Sequence, residues 1–109
     1  MKEKQLKEIL RRHSFWLNGK RADLEGQDLS GMDMAAADMR HVYMPRAVLR
    51  GTKLCLCDLS QANLSGADLT GANLYGANLR DADLSGAILR DTDTRKADFT
   101  GVDLSGAVF

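Results

Sequence analysis

Ala67-Asp68-Leu69-Thr70-Gly71-Ala72-Asn73-Leu74-Tyr75-Gly76 contains the pattern that decides how this chain folds. Leu recurs at five residues, with Ala two places before it, Asp or Asn between them and Gly two places after. Followed outward in both directions, the register holds from Ala22 to Phe109 without an insertion. Taking the Leu position as the centre of each pentad, there are eighteen centres: twelve Leu, Met34, Met39 and Met44, Phe99 and Phe109, and one polar residue, Thr94. Ala stands two before the centre in eleven pentads, and Asp or Asn immediately before it in thirteen.

A period of five suits neither regular element. On a helix at about 100° per residue the centre would drift by about 140° each pentad and smear around every side. In a flat strand an odd period would throw successive centres onto opposite faces. The pattern is satisfied by a three-residue strand, Ala in, Asp or Asn out, Leu in, followed by a two-residue corner. The chain then coils around its own Leu column, and each strand bonds to the strands one coil above and below.

The corner glycines test how many pentads close a coil. Grouped by fours, Gly stands two after the centre at seven of nine corners on two faces (Gly26, Gly66, Gly86, Gly106; Gly31, Gly51, Gly71) and at two of eight on the others (Gly76, Gly101). That distribution predicts a square section of four pentads per coil, with two corners needing a positive φ and two not.

These pentads resemble the pentapeptide repeat family. The resemblance implies an all-β fold, a right-handed quadrilateral β-helix with the centre and the Ala position inward, here of about 4.4 coils and roughly 21 Å long at a 4.8 Å strand spacing. The outward residues depart from the pattern at Val42-Tyr43-Met44-Pro45-Arg46 and Thr52-Lys53-Leu54-Cys55-Leu56, where the inward ones stay small or apolar. Pro45 takes the first corner position, where a fixed φ suits a turn.

The domain plan is a leader over residues 1–21 and a repeat body over 22–109. Leu6, Ile9 and Leu10 follow helical spacing, and Phe15 and Trp16 add an apolar knot, so the leader is expected to form an α-helical cap on the first coil. It resembles the leader preceding many bacterial arrays of the family. At the other end the bulky centres Phe99, Leu104 and Phe109 lie in the last coil with no polar cap after them. A C-terminal end-to-end homodimer is the expectation that covers them.

With 109 residues there is room for one domain, and the six aromatics are few for conventionally packed layers. No apolar run approaches the ~18 residues of a membrane helix, and Lys2, Glu3 and Lys4 do not open a signal peptide, so a cytoplasmic protein without a membrane partner is expected, and the resemblance implies a bacterial one. Fifteen basic residues balance fifteen acidic ones. Read along the chain, that balance splits into a leader of seven basic and two acidic residues (+5) and a repeat body of eight and thirteen (−5).

No catalytic constellation is visible, and no enzyme, cofactor or metal site is expected. His13 and His41 have no nucleophile in a motif near them, and Cys55 and Cys57 point to opposite sides of one strand, short of the four ligands zinc requires. The Asp residues stand singly on outward faces, solvated or capping the backbone of adjacent corners. Leu56, Tyr75 and Cys55 gather outward one coil apart, beside Lys53 and Arg95, and are the candidate protein contacts of an interaction or scaffold module whose partner is unidentified. The resemblance also implies a second class of partner. Family members that protect bacterial topoisomerases from quinolones are held to mimic duplex DNA, which points to DNA gyrase or topoisomerase IV. Duplex DNA carries one charge per ~1.7 Å, about twelve over this length, against a net −5. Direct nucleic-acid binding through Lys2, Lys4, Lys7, Arg11 and Arg12 is a weaker reading, because a basic helix face is ordinarily just solvated.

Overall fold

The computed structural model describes residues 1–14 and 21–109, residues 12–14 by their backbone only. Helix α1 spans Glu3–Ser14, with the acidic Glu3 in its first turn, where the helix dipole favours a negative charge. Leu6 and Leu10 lie one turn apart on the face turned to the coils and are buried, with Ile9 partly buried beside them. Along the helix Glu8 pairs with Arg11 at 2.8 Å and Glu3 with Lys7 at 3.8 Å. Glu3 also accepts the Asp33 N–H at 2.7 Å, so the helix satisfies a donor that has no coil beneath it. Phe15 and Trp16, the other expected cap residues, lie outside the described residues.

From Ala22 onward every pentad contributes one bridge residue that pairs in parallel with the residue twenty positions later, from Asp23 with Tyr43 to Ile88 with Val108. The coil is therefore four pentads, as the square section requires. Face one carries centres 24, 44, 64, 84 and 104; face two 29, 49, 69, 89 and 109; face three 34, 54, 74 and 94; face four 39, 59, 79 and 99. In the stacked coils each pentad has three ladder donors. The centre and second-corner N–H groups bond upward, as from Leu24 to Tyr43 and Gly26 to Pro45, and the bridge N–H bonds downward, as from Tyr43 to Ala22, all at 2.7–3.1 Å.

The corners correct one expectation. All seventeen have the same sign: each residue two after a centre has positive φ, in nine glycines (64–73°) and in Ala36, His41, Arg46, Leu56, Gln61, Asp81, Asp91 and Lys96 (56–61°). Each corner is closed by a bond from the next pentad's first N–H to the centre carbonyl, such as Gln27 to Leu24 at 3.1 Å. With φ positive only at the second corner residue, this is the type II pattern. A coil that turns the same way four times needs the same turn at each corner, so glycine frequency records tolerance of strain and not two kinds of corner.

Every centre from Leu24 to Leu89 is buried, at most 4% exposed. Beside them the Ala position fills the remaining width. At three positions where Thr or Cys replaces Ala, the donor finds a carbonyl one coil back: Thr52 bonds Leu29 O, Cys57 Met34 O and Thr92 Leu69 O, each at 2.8 Å. Among the described residues no buried side-chain polar atom is left without a partner. Burial also pushes the Cys57 thiol up to about 11. The filling ends with the last coil. Thr94 and Phe99 are partly buried, Leu104 is 37% exposed and Phe109 72%.

Candidate functional site

With the interior filled, any function of the repeat body rests on its outward residues, and most of these are occupied by the fold. All thirteen Asp and Asn residues before a centre accept the N–H of the first corner residue, as Asp23 accepts from Glu25 at 3.1 Å. Ser60, Ser65, Thr70, Ser85, Thr100 and Ser105 add a hydroxyl bond to the same oxygen at 2.6–2.7 Å. Ten Asp and three Asn side chains are thus corner caps, the second of the two roles that their placement in the sequence left open. These bonds favour the charged form. The Ser30 amide holds Asp28 below the usual carboxylate range, as do the Thr70 hydroxyl for Asp68, the Arg95 guanidinium for Asp93, the Thr100 hydroxyl for Asp98 and the Ser105 hydroxyl for Asp103.

Arginines engage several of these acids. Arg40 pairs with Asp38 and Arg95 with Asp93 at 2.9 Å, Arg50 with Asp68 at 3.0 Å and Arg80 with Asp98 at 3.5 Å, while Arg46 pairs with Glu25. The acidic faces are therefore interrupted by bound cations and present no continuous file of free carboxylates.

Against this background the corner between faces three and four stands out. Leu56 is 62% exposed at φ 59°. Cys55 beside it is half-buried and Tyr75, one coil above Cys55, likewise. The guanidinium of Arg95 lies 5.5 Å from the Tyr75 ring centroid and the Lys96 ammonium 6.0 Å. The three residues singled out in the sequence are thus brought to one corner. Lys96 was missed, because it neighbours Tyr75 only through a separation of 21 residues, one coil plus one; the coil length was the signal that could have found it.

Phe99, Leu104 and Phe109 gather at the C-terminal end. The N–H groups of Thr94, Phe99 and Leu104, which further down the stack would bond upward, have no acceptor among the described residues. His41 sits exposed at a corner, and the side chain of His13 lies outside what is described. Among the described residues no three His, Cys, Asp or Glu side chains converge as metal ligands, and no helix is long and apolar enough to cross a membrane. An open groove of about 460 Å³ runs between α1 and the first coil, with Lys7, Arg11, Asp33 and Asp38 at its polar positions and Leu10 and Met34 at its floor.

A family model for pentapeptide repeats (8 copies) matches residues 20–54, 46–81, 56–91 and 77–109. Among solved structures, the chain is similar to HetL, a pentapeptide repeat protein involved in heterocyst differentiation regulation from the cyanobacterium Nostoc sp. strain PCC 7120. Identity is 34%, the TM-score 0.75, and the match covers 81% of this chain and 43% of HetL. A pentapeptide repeat protein of the Arabidopsis thaliana thylakoid lumen matches at 32% identity and TM-score 0.50, over 79% of this chain and 63% of the other. QnrB1, a plasmid-mediated fluoroquinolone resistance protein, matches at 18% identity and TM-score 0.59, over 78% and 57%. At that identity the likeness to QnrB1 speaks for the fold alone. The chain spans less than two thirds of each of these structures. No match was found among curated protein sequences.

Proposed function

The chain belongs to the pentapeptide repeat family, and from that premise we propose that it is a non-enzymatic protein-interaction module, its 22–109 body presenting side chains on rigid β-helical faces and its 1–21 leader closing the first coil. The family is one of right-handed quadrilateral β-helices, and no catalytic family matches. The observation that carries the reading is Leu56: a large apolar side chain, 62% exposed, at a positive φ where glycine would be unstrained, beside Cys55 and Tyr75. Seven other non-glycine corners share its backbone, so what sets Leu56 apart is the exposed apolar side chain itself, which with Tyr75 forms a surface of the kind partners cover. The test is affinity capture from a bacterial lysate with the wild-type chain and with Leu56→Gly. A protein retained by the first and lost by the second is expected; identical captures overturn the reading.

A second copy of the chain is the partner proposed for the end carrying Phe99, Leu104 and Phe109, since end-to-end stacking covers apolar side chains and open ladder donors together. Light scattering at micromolar concentration should give the dimer mass, and Phe109→Asp the monomer mass. A wild-type monomer overturns it.

The DNA-mimic reading, with gyrase or topoisomerase IV as target, is the alternative. The engaged arginines and the net −5 of the repeat body weigh against it. Inhibition or protection of supercoiling by the purified protein at stoichiometric concentration would restore it.

A further inference from the structure

Residues 42–57, one stretch of the second coil, contain Arg46, Arg50 and Lys53 and no acid, whereas the rest of the repeat body holds five basic and thirteen acidic residues. In the same stretch Tyr43, Val48 and Lys53 replace the Asp or Asn that caps the corner elsewhere. At Tyr43 nothing is lost, because the residue it would cap is Pro45, which has no N–H. At Lys53 the Cys55 N–H is left with no acceptor among the described residues, and a cation stands where a carboxylate would. Arg46, Arg50 and Arg95 are engaged by Glu25, Asp68 and Asp93. Lys53 and Lys96 have no ion-pair partner among the described residues. Above Leu56, Gly76 leaves the surface flat: a Cβ there would stand 2.7 Å from the Leu56 Cδ2.

We propose that this corner takes an Asp or Glu side chain of a partner protein, the carboxylate filling the missing cap on the Cys55 N–H beside Lys53, and an apolar neighbour of that residue lying on Leu56 and Tyr75, whose ring Lys96 overlies. The proposal rests on the reading of this corner as a protein contact and names what it recognises. A charge-assisted bond from a backbone N–H to a carboxylate is the same chemistry that ten Asp residues use at other corners. A nucleic acid is disfavoured. A polyanion running along the face would meet Asp33 one coil below Lys53.

The probe is a fluorescent peptide alternating Glu and Leu with Gly-Ser spacers, with a twin carrying Gln for every Glu, read by anisotropy at low and high salt. The Glu peptide should bind, weaken with salt, and exceed its Gln twin by about tenfold or more. Lys53→Asn supplies an internal cap and should abolish the preference for Glu while raising the melting temperature by a few degrees, which keeps loss of binding distinct from loss of fold. Ile88→Asn, the same kind of replacement on face two, should leave binding unchanged. Equal binding of Glu and Gln peptides, both lost with Leu56→Gly, overturns the carboxylate site while leaving the protein contact standing. Binding unaffected by Lys53→Asn and by Leu56→Gly overturns both, as does no binding of the Glu peptide up to about 1 mM. Tighter binding of a 20-base-pair duplex through the same residues replaces the partner class and overturns the proposal.

Discussion

Leu56 and Gly101 hold the same backbone conformation with opposite consequences. A positive φ costs a residue with a Cβ about 1–2 kcal/mol, partly offset in any glycine replacement by the extra entropy of the unfolded chain. Leu56→Gly should therefore stabilise the protein by up to about 1 kcal/mol, read from the urea midpoint. Gly101→Ala meets both the φ cost and the Asp81 carboxylate, into which its Cβ would run; Gly26→Ala meets only the first, with open space around it. The loss at Gly101 should exceed that at Gly26 by at least about 1 kcal/mol, and equal losses would show that Asp81 moves aside freely. The two cysteines separate in the same way by position. Cys57, its thiol raised to about 11 by burial and bonded to Met34 O, should stay unreactive toward a thiol reagent at pH 8 until the protein unfolds, while half-buried Cys55 reacts in the native state.

At the scale of the pentad, the five N–H groups of each repeat have separate assignments. Within the stack one closes the corner, two bond upward, one bonds downward, and in the thirteen repeats with Asp or Asn before the centre the fifth is taken by that side chain. That assignment explains why the outward consensus residue is short, polar and an acceptor, and it was legible in the sequence because the residue type alone defines the bond. The centre supplies the apolar term. Leu64→Ala, at 0% exposure in the middle of the stack, should cost about 2–5 kcal/mol. Thr52→Val, which keeps the shape and removes the donor to Leu29 O, should cost about 1 kcal/mol. A Thr52→Val loss as large as that of Leu64→Ala would mean that the coils are held more by polar bonds than by their filling. In α1 the legible part was Leu6, Ile9 and Leu10 at helical spacing; the Glu3 bond to Asp33 N–H was not, since thirty residues separate them and no local pattern links them.

For the whole molecule, the capping carboxylates couple stability to pH. Asp28, Asp68, Asp93, Asp98 and Asp103 titrate lower in the folded than in the unfolded chain, so the folded state binds fewer protons. Their contribution is fully present above the unfolded value near 3.8 and is lost as pH falls through the lower folded values. Stability should be flat from neutral pH to about 5 and drop steeply below about 4. In Asp68→Asn, which keeps the acceptor, the drop should be shallower; an unchanged profile would remove Asp68 from the account. The sequence by itself determined the five-residue step and the inward and outward sides, because each depends on residue type at a fixed local spacing; the four-pentad coil that it suggested is fixed by pairing twenty residues apart. Only the tertiary structure decided that all seventeen corners turn with the same sign, that Arg46, Arg50 and Arg80 reach acids one coil away, and that Lys96 joins Arg95 over the Tyr75 ring. Those depend on stacking residues about twenty positions apart within hydrogen-bonding distance, and a period of five does not by itself say which side chains meet across the coils.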